Sequence, residues 1–207
     1  MIDLYTFKTP NGRKISIALE ELGIPYKTHV VDISKGDQFK PEFLAINPNN
    51  KIPAIVDHAA PGGTPLSLFE SGAILLYLAE KTGTLMPTDP RGKAEVTQWL
   101  MFQMGGVGPM LGQLNHFEVY APTKVPYAID RFRAESKRIL GVLDKHLGSR
   151  DYLAAHYSIA DIATYPWLKA VHGNPKFAEF FQDTPNILQW LHRVGSRPAV
   201  QRGMQIP

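Results

Sequence analysis

The chain has 207 residues, 44% hydrophobic and 20% charged, enough to bury a sizeable core and too apolar for intrinsic disorder. Its net charge is only +3, and Lys and Arg are scattered without a block, which disfavours nucleic-acid binding, a function that needs a concentrated basic stripe. There is no cysteine, so the chain has no disulfide, thiolate nucleophile or Cys-x-x-Cys redox pair of its own, and any thiol chemistry must arrive with a ligand.

Met1-Ile2-Asp3-Leu4-Tyr5 carries neither a basic region nor a long apolar one, and the longest apolar run, Ala73 to Ala79, is far short of a membrane span. A soluble, cytoplasmic protein is therefore expected, with no membrane partner. Residues 2–7 read as a strand, Thr9-Pro10-Asn11-Gly12 as a turn, and Lys14 to Leu22 as a helix stopped by Gly23 and Pro25. A strand from Tyr26 to Ile33 completes a βαβ unit, which favours a parallel pair with a right-handed crossover. A short helix from Pro41 to Ile46, a strand from Ala54 to Val56 and a strand from Leu66 to Phe69 follow, the last two reading as an antiparallel hairpin around Pro61-Gly62-Gly63. The helix from Ser71 to Lys81 is apolar nearly all round and must be covered on more than one side, by a second layer or a partner subunit.

Gly83, Pro87 and Pro90 break the periodicity. The expected division is therefore an α/β domain over 1–82, a linker over 83–90 and an all-helical domain over 91–207. Residues 91–121 read as a long helix interrupted at Gly105-Gly106-Val107-Gly108-Pro109, and 125–147 as another, with Ile129, Phe132, Ile139 and Leu143 at helical spacing. Ser158-Ile159-Ala160-Asp161 opens a central helix as a capping box with Asp in place of Glu or Gln. A last helix is expected over Ile187–Val194, ending before Arg197-Pro198.

Two features carry chemistry. In Asn50-Lys51-Ile52-Pro53-Ala54-Ile55-Val56-Asp57, the proline interrupts a strand, leaving the N–H and C=O of Ile52 to pair with an extended ligand backbone. Spacing alone does not fix the isomer of Ile52-Pro53. Thirteen residues on from Asp57, Glu70-Ser71-Gly72 opens a helix whose unpaired N–H groups and positive dipole end suit a carboxylate. The bland alternative makes Ser71 a helix cap; beside the Ile-Pro edge, ligand binding is the preferred reading. The seven histidines show no metal-ligand spacing and no metal is expected. Gly105-Gly106-Val107-Gly108 lacks the Lys-Ser/Thr of a phosphate loop.

Thr9-Pro10-Asn11-Gly12, Asn50-Lys51-Ile52-Pro53, Leu68-Phe69-Glu70-Ser71-Gly72 and Ser158-Ile159-Ala160-Asp161, in this order, resemble the cytosolic glutathione transferases over nearly the whole chain. The first of these, with Gly36-Asp37-Gln38-Phe39 and Gly105-Gly106-Val107-Gly108-Pro109-Met110, is similar to the bacterial nu class, which includes glutathione-dependent disulfide-bond oxidoreductases. The resemblance implies a thioredoxin-like N-terminal domain (βαβαββα), a helical C-terminal domain and a homodimer. It also implies glutathione, reduced or oxidised, as cosubstrate, with Thr9 and Asn11 holding its sulfur as thiolate for attack on a disulfide or an electrophile. Ser71 would take the γ-glutamyl carboxylate and Glu70 its ammonium, Ile52 and Pro53 the tripeptide backbone, and Gln38 and Lys51 the glycine end or a carboxylate. Arg131 would reach across the interdomain cleft to a second glutathione carboxylate. Met104, Met110, Phe117 and Tyr120 are candidates for lining the second-substrate pocket, and Tyr5, inside the first strand, reads as a packing residue. The class also resembles a fungal glutathione-binding regulator with little turnover. That regulator carries an Asn/Gln-rich extension, whereas here the first strand starts at Ile2, so enzyme ranks above regulator.

Overall fold

The computed structural model describes residues 1–207, which form two compact units: 1–86 with 196–207, and 87–195. The first unit opens with β1 (Ile2–Thr6), α1 (Pro10–Leu22), β2 (Tyr26–Val30), a 3₁₀ turn (Asp37–Phe39), α2 (Pro41–Leu44), β3 (Ala54–Asp57), β4 (Leu66–Phe69) and α3 (Ser71–Thr82). Pro10-Asn11-Gly12, expected in a turn, is instead the first turn of α1. Thr9 is extended (φ −120°, ψ 160°) and its Oγ1 accepts from the Gly12 N–H at 3.2 Å, while Pro10 occupies the position where a missing N–H costs nothing. The four residues are thus a helix-start signal as much as a turn signal.

The sheet has four strands in the order β2-β1-β3-β4. β1 and β2 are parallel, as the βαβ reading requires, while β3 runs antiparallel to both β1 and β4. Leu4 and Ile55 from the sheet, Ile15 and Leu19 from α1, and Ile74, Leu75 and Leu78 from α3 are fully buried and form the core between sheet and helices. Each such side chain contributes roughly 1.5–3 kcal/mol of hydrophobic stabilisation.

The second unit contains no strand. α4 (Pro90–Phe102), capped by Asp89 accepting from the Gly92 N–H at 2.8 Å, runs through a π-helical segment (Gln103–Val107) into α5 (Gly108–Asn115) and a second π segment (His116–Tyr120). Pro109 has no N–H for the carbonyl four residues back, and the widened turn before it absorbs the missing rung. α6 (Pro126–Leu147), α7 (Ile159–His172), a 3₁₀ stretch (Pro175–Phe181) and α8 (Pro185–Gly195) complete the unit.

α7 is central. Asp161, fully buried in its first turn, accepts from the N–H groups of Leu153 (3.0 Å) and Ser158 (3.1 Å) and from Trp190 Nε1 (2.8 Å). Ser158 completes the capping box. Burial outweighs these donors and pushes the Asp161 carboxyl up to about 6.

The chain does not end its helices at Val194. α9 (Pro198–Gly203) follows, and residues 196–207 belong to the first unit, where α9 packs on α1. Ser16 Oγ donates to Gly203 O at 2.7 Å, and a Cβ at Gly203 would lie 2.5 Å from the Cα of Ile17. Arg197 and Arg202 clamp Glu21 and Glu20 at 2.7 and 2.6 Å. A six-residue helix has too little periodicity to be read from sequence; the contact with α1 is what holds it.

The architecture is therefore a thioredoxin-like α/β unit plus an all-helical unit. No helix is long and apolar enough to cross a membrane.

Candidate functional site

Strand register brings four loops to one end of the sheet. Thr6 of β1 pairs with Val30 of β2, Tyr5 with Ala54 of β3, and Ala54 with Phe69 of β4. The segments that leave β1 toward Thr9, leave β2 toward Gln38, enter β3 through Ile52-Pro53 and leave β4 toward Glu70 and Ser71 therefore all lie at that end. Eight of the nine expected site residues belong to this unit.

Thr9 caps α1 and Asn11 follows in its first turn, both half-buried, beside N–H groups that the helix itself does not use. Gly12 is required here. A Cβ would lie 2.4 Å from both Phe7 O and Thr6 Oγ1, so only glycine lets α1 start this close to the end of β1.

The Ile52-Pro53 bond is cis. Ile52 precedes β3 and stands outside its ladder, half-buried against the cluster of Val31, Phe43 and Ala54. A residue that sequence reasoning did not single out holds this loop. Asn47 is buried; its Nδ2 donates to Lys51 O at 2.6 Å and its Oδ1 accepts from the Asn49 N–H at 2.9 Å. The signal was present in Asn47-Pro48-Asn49-Asn50, since asparagines that bond the backbone two residues on are turn builders. Lys51 is exposed. Gln38 sits in the 3₁₀ turn, its Nε2 donating to Ile33 O at 3.5 Å while its Oε1 is buried without a hydrogen-bond partner.

Glu70 precedes α3 with φ 68° and ψ 111° and makes no side-chain cap. A non-glycine residue held there stores of order 1–3 kcal/mol of strain, a feature that clusters at ligand clamps. Ser71 is the first residue of α3 and not its cap, so the bland reading of this serine does not describe the structure. Its Oγ instead accepts from Lys14 Nζ at 3.2 Å. Both are buried, Lys14 at 1% exposure and Ser71 at 4%. Burial lowers the Lys14 ammonium to about 7, and the charge of Glu70 pulls it part of the way back. Lys14 was not among the expected site residues. It lies on the face of α1 that carries Ile17 and Ala18, three and four residues on, and that helical spacing was the available sign that its side chain points inward.

Tyr5 stacks on His29 with ring centroids 4.6 Å apart and also meets Phe43; burial raises its hydroxyl further, away from any role as a proton acceptor. In the helical unit, Arg131 lines a cavity of about 790 Å³ with Met110, Tyr127, Phe132 and Arg138. Of Met104, Met110, Phe117 and Tyr120, Met110 is among the residues that line this cavity. Phe117 stacks on Phe132, 5.6 Å between centroids, and Tyr120 is exposed. No group of three or more His, Asp or Glu residues is arranged to hold a metal ion.

The first unit is thioredoxin-like, with two helix starts and a cis-proline loop meeting at one end of its sheet and no cysteine among them. Comparison gives the family. Residues 9–81 match the family model described as glutathione S-transferase, N-terminal domain, and residues 126–193 match glutathione S-transferase, C-terminal domain. The chain belongs to the glutathione S-transferase family. It is 52% identical over 206 residues to the disulfide-bond oxidoreductase YfcG of Escherichia coli K12, spanning 99% of this chain and 94% of that protein. Its fold is similar to a glutathione transferase from Burkholderia graminis with two glutathione molecules bound per subunit (TM-score 0.96, 52% identity, 100% of this chain and 88% of that one). It is equally similar to one from Pseudomonas putida with one glutathione disulfide bound per subunit (TM-score 0.96, 48% identity, 100% and 91%).

Proposed function

We propose that this chain is a glutathione-dependent disulfide-bond reductase of the nu-class type, able also to transfer glutathione to an electrophile. The observation that carries the reading is the meeting, at one sheet end of a chain with no cysteine, of the Thr9-capped start of α1, the Ile52-Pro53 loop and the strained Glu70-Ser71 start of α3. The sulfur must be the ligand's. Bound glutathione presents it to Thr9 and Asn11, where helix-start N–H groups and the positive end of α1 favour the thiolate.

The γ-glutamyl carboxylate is taken by Ser71 and the start of α3, and its ammonium by Glu70. The backbone at Ile52-Pro53 pairs with the tripeptide as an added strand would. Gln38, whose buried Oε1 lacks a partner, and Lys51 serve the glycine end. Arg131 is assigned to the carboxylate of a second glutathione.

The thiolate attacks one sulfur of a small disulfide, the S–S bond breaks, and the leaving thiolate takes a proton. The thiolate of a second glutathione then attacks the mixed disulfide, releasing the second substrate thiol and oxidised glutathione, so two glutathiones are oxidised for each disulfide reduced. Conjugation uses the same thiolate against an electrophilic carbon.

A homodimer is part of the proposal, supported by the accessible Ala73 and half-buried Leu76 on α3 and by exposed Phe69 at the end of β4. So is a domain boundary within residues 83–90. The test is steady-state reduction of hydroxyethyl disulfide by glutathione, coupled to NADPH oxidation through glutathione reductase. Saturable turnover is expected; tight glutathione binding without turnover, or no binding, refutes the proposal.

A further inference from the structure

Lys14 is buried where a cation is hard to place. It lies in the second turn of α1, near that helix's positive end, and its Nζ reaches the first residue of α3, at a second positive end. The charged groups of the neighbouring elements do little to compensate it. On β1, Asp3 is engaged by His58 at 2.8 Å and His29 at 3.1 Å. On α9, Arg197 and Arg202 are themselves cations, held by Glu21 and Glu20 of α1. At the start of α3, Glu70 is exposed and stabilises the ammonium, yet burial still outweighs it. Two helix starts and a buried amine thus add their positive potential at one point, where an arriving carboxylate is favoured.

An ammonium has donors only, so in the Lys14–Ser71 contact the serine oxygen is the acceptor and its own hydrogen points away from Nζ. A hydroxyl polarised in this way is a stronger donor.

We propose that Lys14 is a positioning residue of the glutathione site: seated behind Ser71, its ammonium orients the serine hydroxyl toward the γ-glutamyl carboxylate and serves as that carboxylate's buried counter-charge. The inference rests on the glutathione reading of the preceding section and adds a residue to it. With an ordinary titration near 7 in the ligand-free protein, a carboxylate bound at Ser71 raises the affinity of Lys14 for its proton, so binding near neutral pH takes up a proton.

The test is calorimetry of S-methylglutathione, whose blocked sulfur has no proton to release, in two buffers of different ionisation enthalpy. Wild-type protein is expected to take up about half a proton per ligand near neutral pH. Lys14→Met is expected to take up none and to bind about 10-fold more weakly or worse, and Lys14→Arg, permanently charged, to bind without proton uptake. Wild-type protein that binds with no proton uptake overturns the inference, whether or not the variants fold, as does Lys14→Met binding as tightly as wild type. Either result leaves the glutathione reading standing. Wild-type protein that does not bind S-methylglutathione overturns both.

Discussion

Replacing Lys14 by methionine tests its burial through stability, independently of any ligand. The amine titrates near 10.5 when exposed and at about 7 in the folded protein, so between those values the unfolded chain binds more protons than the folded one and stability rises with pH. Below pH 7 both states carry the charge and the folded state bears the whole penalty, roughly 5 kcal/mol at 1.36 kcal/mol per pKa unit. Between about pH 6.5 and about pH 9.5 the same relation returns about 3 kcal/mol of this. Urea unfolding of wild type and Lys14→Met across that range, at one protein concentration, cancels the titrations that the two share. The gap between their unfolding free energies is expected to move by about 3 kcal/mol in favour of wild type as the pH rises. Parallel profiles would mean that the amine is solvated, and the account of its burial would fail.

Ser71→Ala removes a hydroxyl placed for a charged hydrogen bond and is expected to weaken glutathione binding by ~1.5–3 kcal/mol, read by calorimetry; an unchanged dissociation constant counts against the assigned pocket. Thr9→Ala and Asn11→Ala are expected to raise the pKa of the bound thiol, seen as lost ultraviolet thiolate absorbance at neutral pH. If both variants keep it, the backbone groups of α1 alone hold the thiolate. Thr9→Ala also removes a helix cap and is expected to cost about 1 kcal/mol of stability. Asp161→Ala strands the Trp190 Nε1 and the N–H groups of Leu153 and Ser158 in the interior. A loss of about 3 kcal/mol or more is expected by urea unfolding, and a loss under 1 kcal/mol would mean that water replaces the carboxylate.

Much of the fold was legible along the chain, because the signals were local. Alternation and helical spacing marked β1, α1, β4, α3, α6 and α7, and Ser158 with Asp161 announced the capping box that the structure contains. The Gly-Pro run at 105–109 announced a disturbed helix, though not its form as a π segment. Pro10–Gly12 was misjudged because proline, asparagine and glycine serve turns and helix starts alike, and only the Thr9–Gly12 bond separates the two. Of the candidate site, the residues that a motif carries were nameable in advance. Asn47 and Lys14 left only indirect signs, a turn-building asparagine and an inward-facing helical spacing.

Composition alone decided that the chain has no thiol of its own, and the order of the motifs pointed to the family. Only the tertiary structure decided that Ser71 accepts from Lys14 instead of capping α3, that Asn47 braces the loop before the cis proline, and that the last helix returns to α1. The contacts of Ser71 and of the last helix are with segments far along the chain, which no local pattern reports. Helical and strand periodicity report which side of an element is buried, but not what lies on the other side of the contact.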